Sequence, residues 1–204
     1  MEPNNDRITD ISHLFDETKG KSMPSRLDAI FPADPLTGTV TSDALEVYLD
    51  SMLSMTSRAS QPISMICVSL DDSPISRFLG VEGASLISRA AARCIKQETR
   101  PHDVVGRLTN GEGEPPVFVV VCPLLTEEGA AKLAERLHES MKLNAGEGQK
   151  QWLTFSIGVT SASLEIQTAN DFISRAHSTL VRAKRNGGGR VWRHSDTGRD
   201  LIEE

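Results

Sequence analysis

The eight residues after Pro62, ISMICVSL, limit the fold of this chain more than any other stretch. The run is uncharged, rich in branched side chains and bounded by turn formers. That pattern suits a strand covered on both faces, and it reads as the centre of a sheet. At 204 residues the chain is long enough to bury one substantial core around such a strand.

The flanking segments supply the other elements. From Asp43 to about Ser54, apolar residues including Leu45, Tyr48, Leu49, Met52 and Leu53 recur at helical spacing, with Thr41 or Ser42 placed to cap the start. From Ala84 to Thr99, Leu86, Ile87, Ala91, Cys94 and Ile95 form a helical stripe that Pro101 discourages from continuing. DVVGRL and VFVVVC follow as strands, and Asn110-Gly111 between them is a favoured hairpin pair.

A helix from about Glu127 to Leu143 then precedes the alternating strand WLTFSIGVT. A last helix begins near Thr168, which has capping-box spacing to Asp171, and runs to about Arg185. From Ile63 to Thr160 the order is strand, helix, strand, strand, helix, strand. This is an α/β (α+β) arrangement: a ferredoxin-like βαββαβ core with its helices on one sheet face, a mostly antiparallel central sheet and extra helices outside that core. The expected organisation is residues 1–33 as a tail or short docking helix, 34–194 as the domain, and 195–204 as a C-terminal tail.

Charge and composition exclude several functions. Lys and Arg number 22 against 28 Asp and Glu, a net charge of −6, and the basic residues are scattered, so no nucleic-acid partner is expected. No apolar run reaches the roughly 20 residues that span a bilayer, and MEPNNDRITD does not resemble a secretory signal, so the expected setting is cytoplasmic, with no membrane insertion. Cys67, Cys94 and Cys122 are odd in number and set among apolar residues, which makes them buried thiols. His13, His138, His177 and His194 lack ligand-like spacing, and no GxSxG elbow is present.

Several short segments carry a family resemblance. FPADPLTG (Phe31 to Gly38) resembles the DxLTG entry motif of the GGDEF, or diguanylate cyclase, family and stands just before the first helix. LTFSIGVT is similar to that family's TxSIG strand, and FISRAHSTLVRAKRNGGGRV to its last helix and strand. In motif order the resemblance covers residues 31–193. It implies a domain whose active members join two GTP molecules into cyclic di-GMP, with carboxylates holding divalent metal on the phosphates.

At the positions the resemblance assigns to that chemistry, this chain carries other residues. The metal-binding Asp at the end of the central strand falls on Ser69, whose hydroxyl does not replace an anionic oxygen. Asp71 or Asp72 would reach the place only by a slip of the strand, and a shift of two keeps the sheet face, which favours Asp71. The guanine-contacting positions fall near Arg77 and on Ala84, and the signature hairpin reads TNGEGEPPV, in which Pro115 and Pro116 lack amide donors. Glu112 and Glu114 in that turn read as solvated rather than cation-binding. Lys184 matches the phosphate-contacting lysine as a vestigial site, whereas its expected basic companion is Gly188.

The charged positions of another motif remain. Where the family carries its product-binding RxxD, this chain has Arg100-Pro101-His102-Asp103, followed by Arg107. A guanidinium forks onto guanine N7 and O6 or onto phosphate, and a carboxylate accepts from guanine N1–H and the amino group. The plainer alternative is that Asp103 satisfies backbone amides, that Arg107 pairs with a carboxylate at the sheet edge, and that Arg100 is merely solvated.

The expected function is therefore a non-catalytic signalling domain that needs neither Mg²⁺ nor another cofactor. It would receive cyclic di-GMP through Arg100 and Asp103, with Arg107, and pass occupancy to a protein partner or a second copy. The alternatives are a nucleotide-independent interaction or dimerisation module, and a weak cyclase or GTP-binding domain.

Overall fold

The computed structural model describes residues 26–72, 80–108, 115–144, 153–163 and 165–198. ISMICVSL forms strand β1 (Ile63–Leu70), and all eight of its residues are buried. β1 lies between two antiparallel neighbours, the later strands Val117–Pro123 and Phe155–Ser161. With Val104–Leu108 as β2, these two become β3 and β4, and Val191–Arg193 is β5. β2 pairs antiparallel with β3, β5 pairs parallel with β4, and the sheet order is β2-β3-β1-β4-β5.

Four helices flank the sheet among the described residues: α1 (Ser42–Ala59), α2 (Gly80–Glu98), α3 (Glu127–Asn144) and α4 (Ala169–Arg185). The two helices of the βαββαβ core, α2 and α3, share one face. There Ala91, Ile95, Leu133 and Leu137 pack on Ile66, Val68 and Val120. α1 and α4 cover the other face, where Leu45, Leu49, Phe172 and Leu180 meet Met65, Cys67 and Val119. This second layer explains why β1 has no polar alternation. The three cysteines are free and buried, as expected.

Two helices are longer than their apolar periodicity suggests. α1 continues to Ala59 because Thr56 buries itself by returning its hydroxyl to the Met52 carbonyl at 2.8 Å, a polar solution that apolar spacing does not reveal. Thr41 occupies the N-cap of α1, yet its side chain makes no capping bond. α2 starts at Gly80 rather than Ala84. At α4 the Thr168–Asp171 capping box forms as the spacing predicts.

Close packing sets where α4 lies. A Cβ on Gly158 in β4 would fall 2.3 Å from the Leu180 backbone nitrogen, so only glycine admits the helix this near. On the opposite edge, the Val40 N–H donates to the Val105 carbonyl (2.8 Å) and the Arg107 N–H to the Val40 carbonyl (2.9 Å), which covers the free side of β2.

Residues 26–33, grouped by sequence with the N-terminal segment, lie against the domain. Leu27–Ile30 makes a 3-10 turn with Arg26 buried before it, and the Phe31 ring meets Tyr48 edge-on at 5.3 Å. At the other end, His194–Gly198 forms a 3-10 turn in which the Ser195 N–H donates to Glu127 at 3.0 Å. No described helix is long and apolar enough to cross a membrane.

Candidate functional site

Two regions contain the residues that sequence singled out, and they sit at opposite ends of the sheet. The C-terminal end of β1 holds Ser69, Asp71 and Lys184. Below the other end, the turn between α2 and β2 holds Arg100 and Asp103.

Ser69 pairs with Val117 on one side and Ser156 on the other, and its side chain is buried toward α4. Lys184, in the last turn of α4, reaches this point. Its ammonium donates to the Ser69 hydroxyl and to the Leu70 carbonyl, each at 2.9 Å. The Gly188 N–H closes the helix on the Ala183 carbonyl, so the basic last turn is held at the end of β1.

A divalent cation needs several oxygen ligands there, with carboxylate charge to offset its own. Among the described residues, the Ser69 hydroxyl and the Leu70 carbonyl at the strand end are uncharged and already accept from the Lys184 ammonium. These residues do not fit the metal that the resemblance implies.

Asp71, two residues on, keeps the sheet face of Ser69, but its carboxylate is committed elsewhere. One oxygen accepts from the Ser156 hydroxyl and the other from the Gly189 N–H at 2.8 Å. Gly188, at φ +66°, could carry no Cβ without placing it 3.1 Å from that carboxylate. The triple-glycine loop therefore wraps an internal anion, and Asp71 serves the join between β1, β4 and α4.

In the turn Arg100-Pro101-His102-Asp103, the Asp103 N–H donates to the Arg100 carbonyl at 3.0 Å, and the Arg100 N–H donates to the Asp103 carboxylate at 2.7 Å. Asp103 is only 2% exposed. Burial raises its pKa above the ordinary carboxylate value, against the lowering effects of the Arg100 amide and of the His102, Arg100 and Arg26 charges. Arg100 points outward and exposed, and no described side chain or carbonyl accepts from its guanidinium. Half of the motif faces solvent, and the other half locks the turn.

Arg107 lies farther along β2, and its Nη1 donates to both Asp34 oxygens at 3.2 and 3.3 Å. Burial pushes the Asp34 pKa up, but the Thr37 hydroxyl and amide together with Arg107 outweigh it and hold the carboxyl below 3.8. The entry motif and the sheet edge are thus joined by a carboxylate–arginine pair, the role that the plainer reading gave Arg107.

Arg77, Glu112 and Glu114 lie outside the described residues. Sequence reasoning passed over Arg26, which proves central to the Arg100–Asp103 turn. The carbonyls it holds are 70 to 77 residues away in the chain, so no local pattern announces its place beneath the turn.

With this geometry in hand, comparison with known proteins gives a consistent result. The family model for the diguanylate cyclase GGDEF domain matches residues 32–190. Diguanylate cyclase A of Treponema denticola is 27% identical over 134 residues, covering 64% of this chain and 35% of that protein, so the chain spans about a third of the relative's length. The diguanylate cyclase SiaD of Pseudomonas aeruginosa, solved with its activator SiaC, superposes with a TM-score of 0.68 at 24% identity over 79% of this chain and 61% of its own. The coiled coil and GGDEF domain of DgcB from Caulobacter crescentus, solved with c-di-GMP, gives 0.65 at 18% identity over 79% of this chain and 84% of its own. At these identities the structural likeness speaks for the fold.

Proposed function

Because this chain belongs to the GGDEF diguanylate cyclase family, we propose that it is a catalytically inactive member that acts as a cytoplasmic cyclic di-GMP receptor, with Arg100 as the ligand-contacting residue. The observation that carries the receptor reading is the Arg100 guanidinium, held in solvent by a turn whose own backbone is locked. A planar donor presented this way suits the guanine Hoogsteen edge or a phosphate, and a rigid turn lowers the ordering cost of binding.

Asp103 acts first as the positioning residue of that turn. Its carboxylate reaches a ligand only by exchanging the Arg100 N–H for the guanine donors. Arg107 joins the ligand only by leaving Asp34. The inactive reading is supported at the other end of the sheet, where the Lys184 ammonium takes the oxygens of Ser69 and Leu70.

Two measurements test this function. Calorimetry with cyclic di-GMP should give saturable binding in the micromolar range that Arg100→Ala abolishes; no heat at high micromolar ligand, or unchanged affinity in Arg100→Ala, removes the receptor reading. GTP and Mg²⁺ incubated with stoichiometric protein should yield no cyclic di-GMP on chromatography, and any product overturns inactivity.

The burial of Asp103 favours a second reading, a nucleotide-independent dimerisation or interaction module. Self-association by sedimentation that ignores both cyclic di-GMP and Arg100→Ala would select it.

A further inference from the structure

The Arg100–Asp103 turn is gripped by the residues through which the described chain enters the domain. The Arg26 side chain is only 6% exposed. Its Nη1 donates to the carbonyls of Lys96 (3.0 Å) and Thr99 (3.2 Å), and its Nη2 to the carbonyl of Asp103 (2.9 Å). Its Nε meets both Asp28 oxygens at 3.1 and 3.2 Å, which balances the buried charge. The acceptors include carbonyls at the C-terminal end of α2, where intrahelical partners run out and a cation is favoured.

The next residue completes the grip. The Leu27 N–H donates to the Pro101 carbonyl at 2.8 Å. From Thr99 to Asp103, alternate carbonyls (Thr99, Pro101 and Asp103) accept from residues 26 and 27, while the Arg100 carbonyl accepts from within the turn. Phe31 then anchors the far end of the segment on Tyr48 of α1. Nothing else described fixes the Pro101 carbonyl, so the backbone just after Arg100 depends on this segment as well as on the bonds to Asp103.

We propose that residues 26–31 form a strap that couples the Arg100–Asp103 site to the chain preceding it. The turn presents Arg100 to ligand while Arg26 and Leu27 hold its carbonyls, so ligand at the turn and docking of the strap stabilise each other. This rests on the receptor reading above. Such coupling is reciprocal: loosening the strap weakens ligand binding by the factor through which ligand tightens the strap. Arg26 is a positioning residue here, since it reaches the turn's carbonyls and no ligand.

The test uses the full chain with cyclic di-GMP as probe, in calorimetry and amide hydrogen exchange. Arg26→Gln removes the guanidinium. Leu27→Pro is a milder second variant: it deletes the N–H to Pro101 and exchanges one exposed apolar side chain for another, and the preceding Arg26 already has the extended backbone (ψ 147°) that a following proline requires. Each variant should speed exchange of the Asp103 amide by about tenfold without changing the amides of β3, and weaken cyclic di-GMP about tenfold. Ligand should in turn slow exchange of the Leu27 amide in the unaltered chain and leave it unchanged in Arg100→Ala, a response that a merely structural Arg26 would not give.

Unchanged Asp103 exchange in a folded Leu27→Pro chain overturns the strap. Binding that is lost in Arg100→Ala, but with no ligand effect on Leu27, also overturns the strap and leaves the receptor standing. Absence of binding in the unaltered chain overturns the receptor, and the coupling with it.

Discussion

The Lys184 ammonium lies 2.9 Å from the Ser69 hydroxyl, with the Leu70 carbonyl at the same distance. The end of the central strand is therefore closed by a cation from the chain's own α4. A lysine in the last turn of a helix is electrostatically favoured there, and Ser69 gives it a hydroxyl acceptor.

Restoring the carboxylate alone should not restore metal binding. Ser69→Asp is expected to pair with Lys184 and show no Mn²⁺ binding by electron paramagnetic resonance. Removing a unit charge about 4 Å away is worth roughly 4 kcal/mol near a protein surface. Ser69→Asp with Lys184→Met should accordingly show Mn²⁺ binding where the single variant shows none; no binding in either would show that the ammonium does not control this position.

Gly158→Ala should be among the most destabilising single-methyl additions in the sheet. The new Cβ would stand 2.3 Å from the Leu180 nitrogen and 2.8 Å from its Cα, both backbone atoms that move only if α4 shifts. A loss of about 3 kcal/mol is expected, read from the midpoint of urea unfolding. A change under about 0.5 kcal/mol would mean that α4 is not seated this closely.

Tyr48→Phe should be neutral or stabilising. The Tyr48 hydroxyl is buried with no hydrogen-bond partner among the described residues, and burial pushes its pKa up to about 12. Leaving such a group unsatisfied costs about 1–3 kcal/mol, and phenylalanine keeps the ring against Phe31. Thermal unfolding checks it, and a lowered midpoint would reveal an acceptor for the hydroxyl.

Asp34 and Asp103 should act oppositely in acid. The folded pKa of Asp34 is held below 3.8, so its stabilisation is present above the unfolded value and lost as pH falls through the folded one. Burial raises the pKa of Asp103, so between its unfolded and folded values the folded state binds more protons, and stability falls as pH rises through that window. Asp34→Asn should flatten the decline of stability below about pH 4, whereas Asp103→Asn should remove a fall in stability as pH rises above about 4. The slopes of denaturation midpoint against pH between roughly 2 and 5 decide both.

Much of the fold was legible because it depends on local periodicity and composition. An uncharged run without alternation announced β1, and helical stripes announced α1 to α4. The Thr168–Asp171 spacing announced a cap that forms as drawn. Illegible were the layer that α1 and α4 make on the second sheet face, the extra turn of α1, and the burial of Arg26. The first and last depend on partners far along the chain, and the extra turn on a hydroxyl–carbonyl bond that apolar spacing does not reveal.

For this protein the sequence by itself determined which elements form and in what order, and which charged residues stand at positions 100–107, since propensity and pattern act over a few neighbouring residues. Only the tertiary structure decided what those residues do. It set Lys184 on Ser69, fastened Asp71 to the glycine loop, turned Asp103 inward and Arg100 outward, and drew Arg26 beneath the turn. Hydrogen bonds and charge pairs act over a few ångströms, and it is chain folding that brings residues 70 or more positions apart within that range.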